Sequence, residues 1–130
     1  MNREIRPESI AAPAANYAHA VLSENPTRWL HTSGVVPTTP DGIVPDAIAD
    51  QATVVWANIG ALLAEAGMSG ADVVSVTSYV VVDHLASLGV VMAARDAALD
   101  GRRVASTLVT VPALARPEWK LEIAIVAAAS

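Results

Sequence analysis

A single glutamate in the last apolar segment of the sequence has the surroundings of a catalytic acid or base. Glu122 stands in WKLEIAIVA, where strand alternation places Lys120, Ala124 and Val126 on its own face. A carboxylate in apolar company is suited to take or give a proton during catalysis. The other interpretation is that Glu122 points to solvent at the margin of a sheet, and spacing alone leaves both open.

Small polar residues in two further segments could bind a ligand. In HTSGVVP, Ser33 can form a hydrogen bond and Gly34 allows a ligand or backbone to approach closely, although a strand bulge without a ligand explains the motif equally well. In RVASTLVTVP, the β-branched residues and the closing proline predict a strand. Ser106 and Thr107 are adjacent in it, so their hydroxyls face opposite sides of the sheet.

The remaining residue types argue against several other kinds of site. His19, His31 and His84 stand on different predicted elements without metal-ligand spacing, which favours surface or hydrogen-bonded roles. The absence of cysteine excludes disulfides and thiolate catalysis. No glycine-rich phosphate loop, dinucleotide signature or nucleophile elbow is present. We therefore expect no metal and no cofactor.

Length and composition predict one domain, residues 1–130, that assembles with copies of itself. Of the 130 residues 53% are apolar and 16% charged, and phenylalanine is absent, so some apolar surface is expected between subunits. The net charge of −5 disfavours nucleic acid as a partner. No apolar run of about twenty residues and no signal-like leader occurs, so we expect a soluble cytoplasmic protein without membrane contact.

The pattern of apolar residues predicts seven elements. Residues 16–36 are expected to form a hairpin, and the proline-rich segment 37–45 a loop. Apolar spacing predicts a helix from Asp46 to Ala66, capped by Gly67, and a second helix that ends at Gly101. The valine-rich segment 72–83 is the predicted central strand, buried on both faces, and residues 104–111 and 119–128 are the last two strands.

This order of elements predicts an α+β fold with a mixed β-sheet and both helices on one face. The opposite sheet face then needs a cover, and no remaining segment can supply it. Other subunits of an oligomer are expected to do so.

Four segments of the chain match a known family in order. Tyr17 in NYAHAV resembles the tyrosine of the family's GPYSQAV segment, and HTSGVVP resembles its SGQ-P segment. Gln51 with Asn58 and Ile59 resembles the family's glutamine followed by NI on the first helix. LEIAIVA resembles the family's EIEAIA ending. Over most of its length the chain therefore resembles the Rid family, also called YjgF/YER057c/UK114.

The resemblance implies a chorismate-mutase-like α+β fold, assembled as a homotrimer with a small-molecule cleft between neighbouring subunits. In the best-known branch of the family, enamines or imines derived from amino acids are hydrolysed to a 2-keto acid and ammonia. A glutamate that matches Glu122 is thought to handle the attacking water there.

The chain departs from that branch at the residue that binds the substrate carboxylate. Anchoring the family's V-x-V-x-x-L on Val109, Val111 and Leu114 aligns its P-A-R-S with residues 104–107, so Ser106 replaces the arginine. A hydroxyl cannot reproduce the paired hydrogen bonds of a guanidinium. The family asparagine on the second helix is matched by Val91, and Arg103 points away from the face of Ser106. Activity on 2-aminoacrylate-type imines is therefore not expected.

Two functions follow as hypotheses. The first is a Rid-like deaminase or related hydrolase of a small neutral substrate, with Glu122 catalytic and the substrate bound by Tyr17, Ser33, Gly34, Val91, Ser106 and Thr107. The second is a non-catalytic trimeric protein that binds or senses a small ligand, since fold does not imply function. Ribonuclease activity is disfavoured because the chain is acidic and lacks a basic patch.

Overall fold

Two α-helices lie on one face of a mixed sheet in the computed structural model, which describes all 130 residues. The elements, in chain order, are β1 Asn2–Ile5, β2 Ala20–Ser23, β3 Arg28–His31, α1 Ile48–Glu65, β4 Val73–Val81, α2 Leu88–Ala98, β5 Ala105–Val111 and β6 Leu121–Ala129. Short 3-10 turns, Gly70–Asp72 and Val82–Ser87, precede β4 and α2. Neither helix is both long and apolar enough to span a bilayer.

The main sheet has four strands in the order β3-β6-β4-β5. Strands β4 and β5 are parallel and are joined through α2, whereas β6 runs antiparallel to both β3 and β4. A parallel pair needs such a crossover connection. The predicted α+β fold, with a mixed sheet, both helices on one face and residues 72–83 in its interior, is confirmed.

Both helices form and end where their sequence patterns predict. The apolar stripe of α1, which includes Val55, Ile59 and Leu63, is buried. Gly67 with φ +68 and Gly101 with φ +70 follow the two helices in the left-handed conformation that favours glycine. The segment 37–45 contains no helix or strand, as predicted.

The two faces of the sheet differ in burial. Alternate residues of β4 and β6 face the helices and form the core with them: Val76, Val80, Leu121, Ile123 and Ile125. The residues between them, such as Thr77, Tyr79, Glu122 and Ala124, are only partly buried. We call this second surface the open face. Within the single chain, segment 72–83 is therefore fully buried on one face only, and burial of its other face by a second copy stays a prediction.

The predicted hairpin over residues 16–36 is wrong. Strand β2 pairs with β1 near the N-terminus, and β3 pairs with β6 near the C-terminus. Asn25 between them adopts a left-handed conformation with φ 55, and the Thr27 amide then donates to the Ala129 carbonyl, so the chain joins β6 instead of folding back. The short polar segment β1 carried no strand signal of its own, and its partner is what makes it a strand.

Candidate functional site

Glu122 lies in a shallow cavity on the open face. The cavity has a volume of about 240 Å³ and is lined by Gly34, Tyr79, Leu114, Glu122 and Ala124. We call it the Glu122 pocket. Tyr79 on β4 is the cross-strand neighbour of Glu122 on β6, so the phenol and the carboxylate share one face. The carboxylate is half-buried and faces the cavity from a strand whose other side is held in the core.

A β-bulge brings Gly34 against the Glu122 carboxylate. His31 pairs with Val126 and Val35 pairs with Ile123, so residues 32–34 oppose only two residues of β6. A Cβ atom at position 34 would stand 1.7 Å from Oε2 of Glu122, closer than any real contact. The motif is therefore a bulge, and the group that approaches its glycine is the candidate catalytic carboxylate. Ligand binding by HTSGVVP stays a prediction.

Helix α1 anchors the chain on both sides of the Glu122 pocket. Gln51 is fully buried; its amide nitrogen donates to the carbonyls of Pro45 and Glu118, and its oxygen accepts from the Lys120 amide just before β6. Asn58 donates to the carbonyls of Val36 and Thr38, just after Gly34. These two polar side chains of α1 fix where β6 begins and where the bulge segment ends.

The two predicted hydroxyls of β5 lie on opposite faces, as their alternation requires. Thr107 is exposed on the open face, where it pairs with Thr77 of β4. It is two strand spacings, roughly 10 Å, from β6. Ser33, on the bulge, is also exposed. Ser106 pairs with the core residue Val76 and therefore points toward the helices.

Ser106 contacts a buried arginine that the sequence analysis did not single out. Nη1 of Arg95 on α2 donates to Ser106 Oγ at 3.0 Å, and Nη2 donates to the Asn16 carbonyl at 3.1 Å. Nε and Nη2 of Arg95 also donate to the Asp96 carboxylate, at 3.3 and 3.2 Å. We call Asn16, Arg95, Asp96 and Ser106 the Arg95 cluster. Arg95 is only 6% exposed.

Tyr17 lies beside the Arg95 cluster. The next residue, Ala18, pairs with Ala105 of β5, and its amide donates to the Val104 carbonyl at 2.8 Å. The Tyr17 hydroxyl accepts from the Ala14 amide at 3.4 Å, and its ring meets His19 edge-on. The segment that carries Tyr17 is thus tied to β5 next to Ser106 and to Arg95 through Asn16.

The position of Arg95 in the sequence could have identified it as a buried charged residue. It occupies the apolar stripe of α2, four residues after Val91 and four before Leu99, both of which are buried. A charge on such a stripe must find partners. Arg102 and Arg103 are engaged elsewhere, since Arg102 donates to the Gly70 and Val73 carbonyls and Arg103 pairs with Glu4. Burial lowers the pKa of the Arg102 guanidinium, and nearby Asp72 opposes that shift.

Val91 and the histidines stand apart from both groups. Val91 is 1% exposed and belongs to the hydrophobic core, so it contributes packing rather than a ligand-facing surface in this chain. His19 hydrogen-bonds to the Ala11 carbonyl at 2.7 Å, and His31 stacks on Trp29. His84 lies in the turn before α2.

The candidate residues therefore form two groups on opposite sides of the sheet. Gly34, Thr107 and Glu122 belong to the open face, while Ser106 and the Arg95 cluster lie on the helix side. The backbone of a four-stranded sheet separates the two groups within one chain. A site that used both groups would need a second copy of the chain.

Comparisons with known proteins agree with this fold over nearly the whole chain. The family model of Endoribonuclease L-PSP matches residues 8–129. YyfB of Yersinia pestis, a protein of unknown function of the conserved Rid family, is 32% identical, with 98% of each chain covered and a TM-score of 0.87. NMB1025 of Neisseria meningitidis, a member of the YjgF family, is 30% identical, with 91% of each chain covered and a TM-score of 0.68.

A third structure agrees. Rv2704 of Mycobacterium tuberculosis, a member of the YjgF/YER057c/UK114 family, is 26% identical, with 88% of each chain covered and a TM-score of 0.68. A comparison with curated proteins gives no significant match. On the family model and these structures together, the chain belongs to the Rid family, also called YjgF/YER057c/UK114.

Proposed function

We propose that this chain is a Rid-type deaminase that hydrolyses a small neutral imine or enamine in a cleft between the subunits of a homotrimer. The observation that carries the proposal is the Glu122 carboxylate, which lies against Gly34 in an open cavity of about 240 Å³. A cavity of this size suits a ligand of a few heavy atoms. Membership of a family that includes small-molecule deaminases supports this class of reaction.

The two groups of candidate residues lie on opposite sides of the sheet, and this separation supports a cleft between subunits. The open face carries apolar side chains that water reaches, among them Trp29, 52% exposed, and Val109, 39% exposed. Burying such a surface against another copy is favourable. A copy placed on this face could bring its own Ser106 and Tyr17 toward the Glu122 pocket, and the candidate residues would then line one cleft.

The proposed reaction uses one water molecule and one proton acceptor. Glu122 takes a proton from water as the water oxygen bonds to the imine carbon, and passes this proton to the imine nitrogen, which gives a neutral amino alcohol. Glu122 then takes the hydroxyl proton as the carbon–oxygen double bond forms and the carbon–nitrogen bond breaks, and passes it to the leaving nitrogen, which departs as ammonia. A carbonyl compound remains. The Gly34 amide and the Ser33 hydroxyl would orient the substrate beside the carboxylate.

The preference for a neutral substrate follows from the charges of the Arg95 cluster. The guanidinium is paired with Asp96 at 3.2 Å, so the cluster has no net positive charge to offer a substrate carboxylate. Ser106 itself is neutral. The endoribonuclease name of the family model is not carried over to this chain, since a net charge of −5 repels a phosphate backbone.

The test is ammonia release from freshly generated imines and enamines, neutral and carboxylate-bearing. The unmodified protein is expected to act on neutral substrates, and Glu122→Gln is expected to bind them while losing about 100-fold or more in kcat, because it keeps the shape and removes the proton acceptor. Glu65→Gln, which changes an exposed glutamate at the end of α1, is the matched control.

Equal turnover by Glu122→Gln and the unmodified protein would contradict the role of Glu122. Binding of neutral carbonyl ligands without ammonia release from any imine would favour the non-catalytic binding protein.

A further inference from the structure

In the Arg95 cluster a buried arginine pairs with the Asp96 carboxylate and also bonds to the Ser106 hydroxyl. Packing alone does not require this combination. Arg95 makes four hydrogen bonds, to Ser106, to the Asn16 carbonyl and twice to Asp96. Asn16 donates in turn to Asp96 at 3.2 Å and to the Gly101 carbonyl at 3.3 Å. The guanidinium is thus bonded to three residues, Asn16, Asp96 and Ser106. Of these, Ser106 is the one whose side chain still has an unused hydrogen-bond donor, its hydroxyl proton.

The hydrogen bond between Arg95 and Ser106 can have only one direction. A guanidinium only donates hydrogen bonds, so Ser106 Oγ must be the acceptor. The single proton of the serine hydroxyl is then not shared with Arg95, and Ser106 makes no other side-chain hydrogen bond within the chain. A donor bond from a charged group also polarises the hydroxyl and makes it a better donor.

We propose that Arg95 is a positioning residue that presents Ser106 as a hydrogen-bond donor to the carbonyl or imine acceptor of a neutral substrate. This inference rests on the proposed function and adds the recognition element of the cleft. Asp96 also takes part in substrate recognition. Its carboxylate cancels the charge of Arg95, whereas an unpaired guanidinium would favour a substrate that carries a carboxylate. The charge balance of the cluster, and not only the residue at position 106, sets the substrate class.

A purely structural role for the cluster makes a different prediction. If Arg95 only tied the Asn16 segment to α2, changes at Asp96 or Ser106 would alter stability and leave the choice between neutral and charged ligands as it was. The decisive readout is therefore a ratio of affinities for two ligands of nearly equal shape.

The experiment measures binding of pyruvamide and pyruvate, a matched neutral and anionic pair of carbonyl compounds, by calorimetry at pH 7. The unmodified protein is expected to prefer pyruvamide. Ser106→Ala is expected to weaken pyruvamide binding about 10-fold, the scale of one hydrogen bond to a neutral partner. Asp96→Asn keeps an oxygen for Arg95 while removing the charge, and is expected to shift the affinity ratio toward pyruvate by about 10-fold or more.

Asp100→Asn is the matched control for charge. Asp100 is exposed, lies just after α2, and has a positive φ of 52 that asparagine also tolerates. It makes no contact with Arg95, so the affinity ratio is expected to stay unchanged. A shift in Asp100→Asn equal to that in Asp96→Asn would assign the effect to general electrostatics and overturn the inference.

The outcomes separate this inference from the proposed function. Ammonia release that depends on Glu122, together with an affinity ratio that neither Ser106→Ala nor Asp96→Asn moves, overturns the role of Arg95 and leaves the deaminase proposal standing. A preference of the unmodified protein for pyruvate also overturns it. Absence of both ammonia release and binding of either probe overturns both proposals.

Discussion

The Glu122 carboxylate occupies the space that a side chain at position 34 would need. Glycine suits position 34 because an added Cβ would stand 1.7 Å from Oε2, not because the backbone needs a left-handed conformation. The two residues are far apart in sequence and act as one unit. Catalysis that depends on the position of a carboxylate is sensitive to displacements of about 1 Å.

Gly34→Ala is therefore expected to fold and to lose activity. The three atoms nearest to the added methyl group all belong to the Glu122 side chain, whose flexible end can move away without disturbing the sheet. The displaced carboxylate is expected to lower kcat about 10-fold or more, with KM changing less. Steady-state ammonia release and thermal unfolding of the same preparations provide the measurement.

The control for this substitution is Gly60→Ala. Gly60 lies on the exposed side of α1 with no atom within 4 Å of an added Cβ. The variant is expected to keep full activity and to gain about 0.5–1 kcal/mol in the free energy of unfolding, since alanine is the better helix former. Full activity in Gly34→Ala would show that the carboxylate does not act from its observed position.

At this scale the sequence predicted which face of the sheet each candidate side chain occupies better than it predicted the residues that it contacts. The alternation of WKLEIAIVA placed Glu122 on the face that is open in the structure, and the adjacent hydroxyls at 106 and 107 do point to opposite sides. The contact between Arg95 and Ser106 could not be predicted from either segment, because it depends on how α2 crosses β5. Contacts between elements are set by packing rather than by local pattern.

Among the elements, α1 does most to position the Glu122 pocket. Its apolar stripe packs on the sheet, while Gln51 and Asn58 reach sideways to the loops before β6 and after the bulge. The loops themselves contain no helix or strand, so these side-chain bonds replace regular backbone pairing. The chain can therefore hold an irregular, proline-rich segment close to the pocket without losing its shape.

Gln51→Leu is expected to destabilise the fold while conserving volume. The change leaves the Lys120 amide and the carbonyls of Pro45 and Glu118 without their buried partner. We expect a loss of about 1–3 kcal/mol in the free energy of unfolding, the usual cost of burying unsatisfied polar groups. Urea unfolding at one fixed protein concentration measures it.

Thr53→Ala, an exposed change on the same helix, is the control, with an expected effect within about 0.5 kcal/mol. A Gln51→Leu protein as stable as the unmodified one would show that water replaces these bonds and that α1 does not anchor the two loops.

Helices were predicted well and strand pairing was not, for a physical reason. The apolar stripe of a helix and the glycine that ends it lie within one segment, so α1 and α2 could be located from their own residues. A strand is defined by its partner, and β2 and β3 each pair with a segment from another part of the chain. The turn residues between β2 and β3 redirect the chain toward β6 instead of closing a hairpin.

The whole molecule has one covered and one uncovered sheet face. The core lies between the helices and the sheet, and the open face carries both the Glu122 pocket and exposed apolar residues. A lone chain would leave the proposed catalytic carboxylate of Glu122 on a surface without a second wall. The open face is therefore the expected contact between copies, and the site is expected to be complete only in the assembly.

Sedimentation at micromolar concentration is expected to give a mass three times the 13.4 kDa of the chain. Val109→Glu, which places a charge on the open face, is expected to shift the protein toward smaller species because the charge would be buried without a partner. Leu62→Glu is the control: Leu62 is similarly exposed, at 44% against 39% for Val109, but lies on α1. If Leu62→Glu dissociates the assembly and Val109→Glu does not, the contact between subunits lies on the helix side, which contradicts the assignment to the open face.

The central claim is that Glu122 of one subunit and Ser106 of another act in the same cleft, and mixed assemblies test it most directly. Below substrate saturation, Glu122→Gln is expected to retain about a hundredth of the unmodified activity, and Ser106→Val, which loses the same hydrogen bond as Ser106→Ala, about a tenth. When the two variants are co-expressed in equal amounts, random assembly leaves about a quarter of the clefts with both residues intact, so ammonia release is expected to recover to about a quarter of the unmodified level. Mixed assemblies no more active than the average of the two parents would contradict the account, because each site would then lie within a single chain.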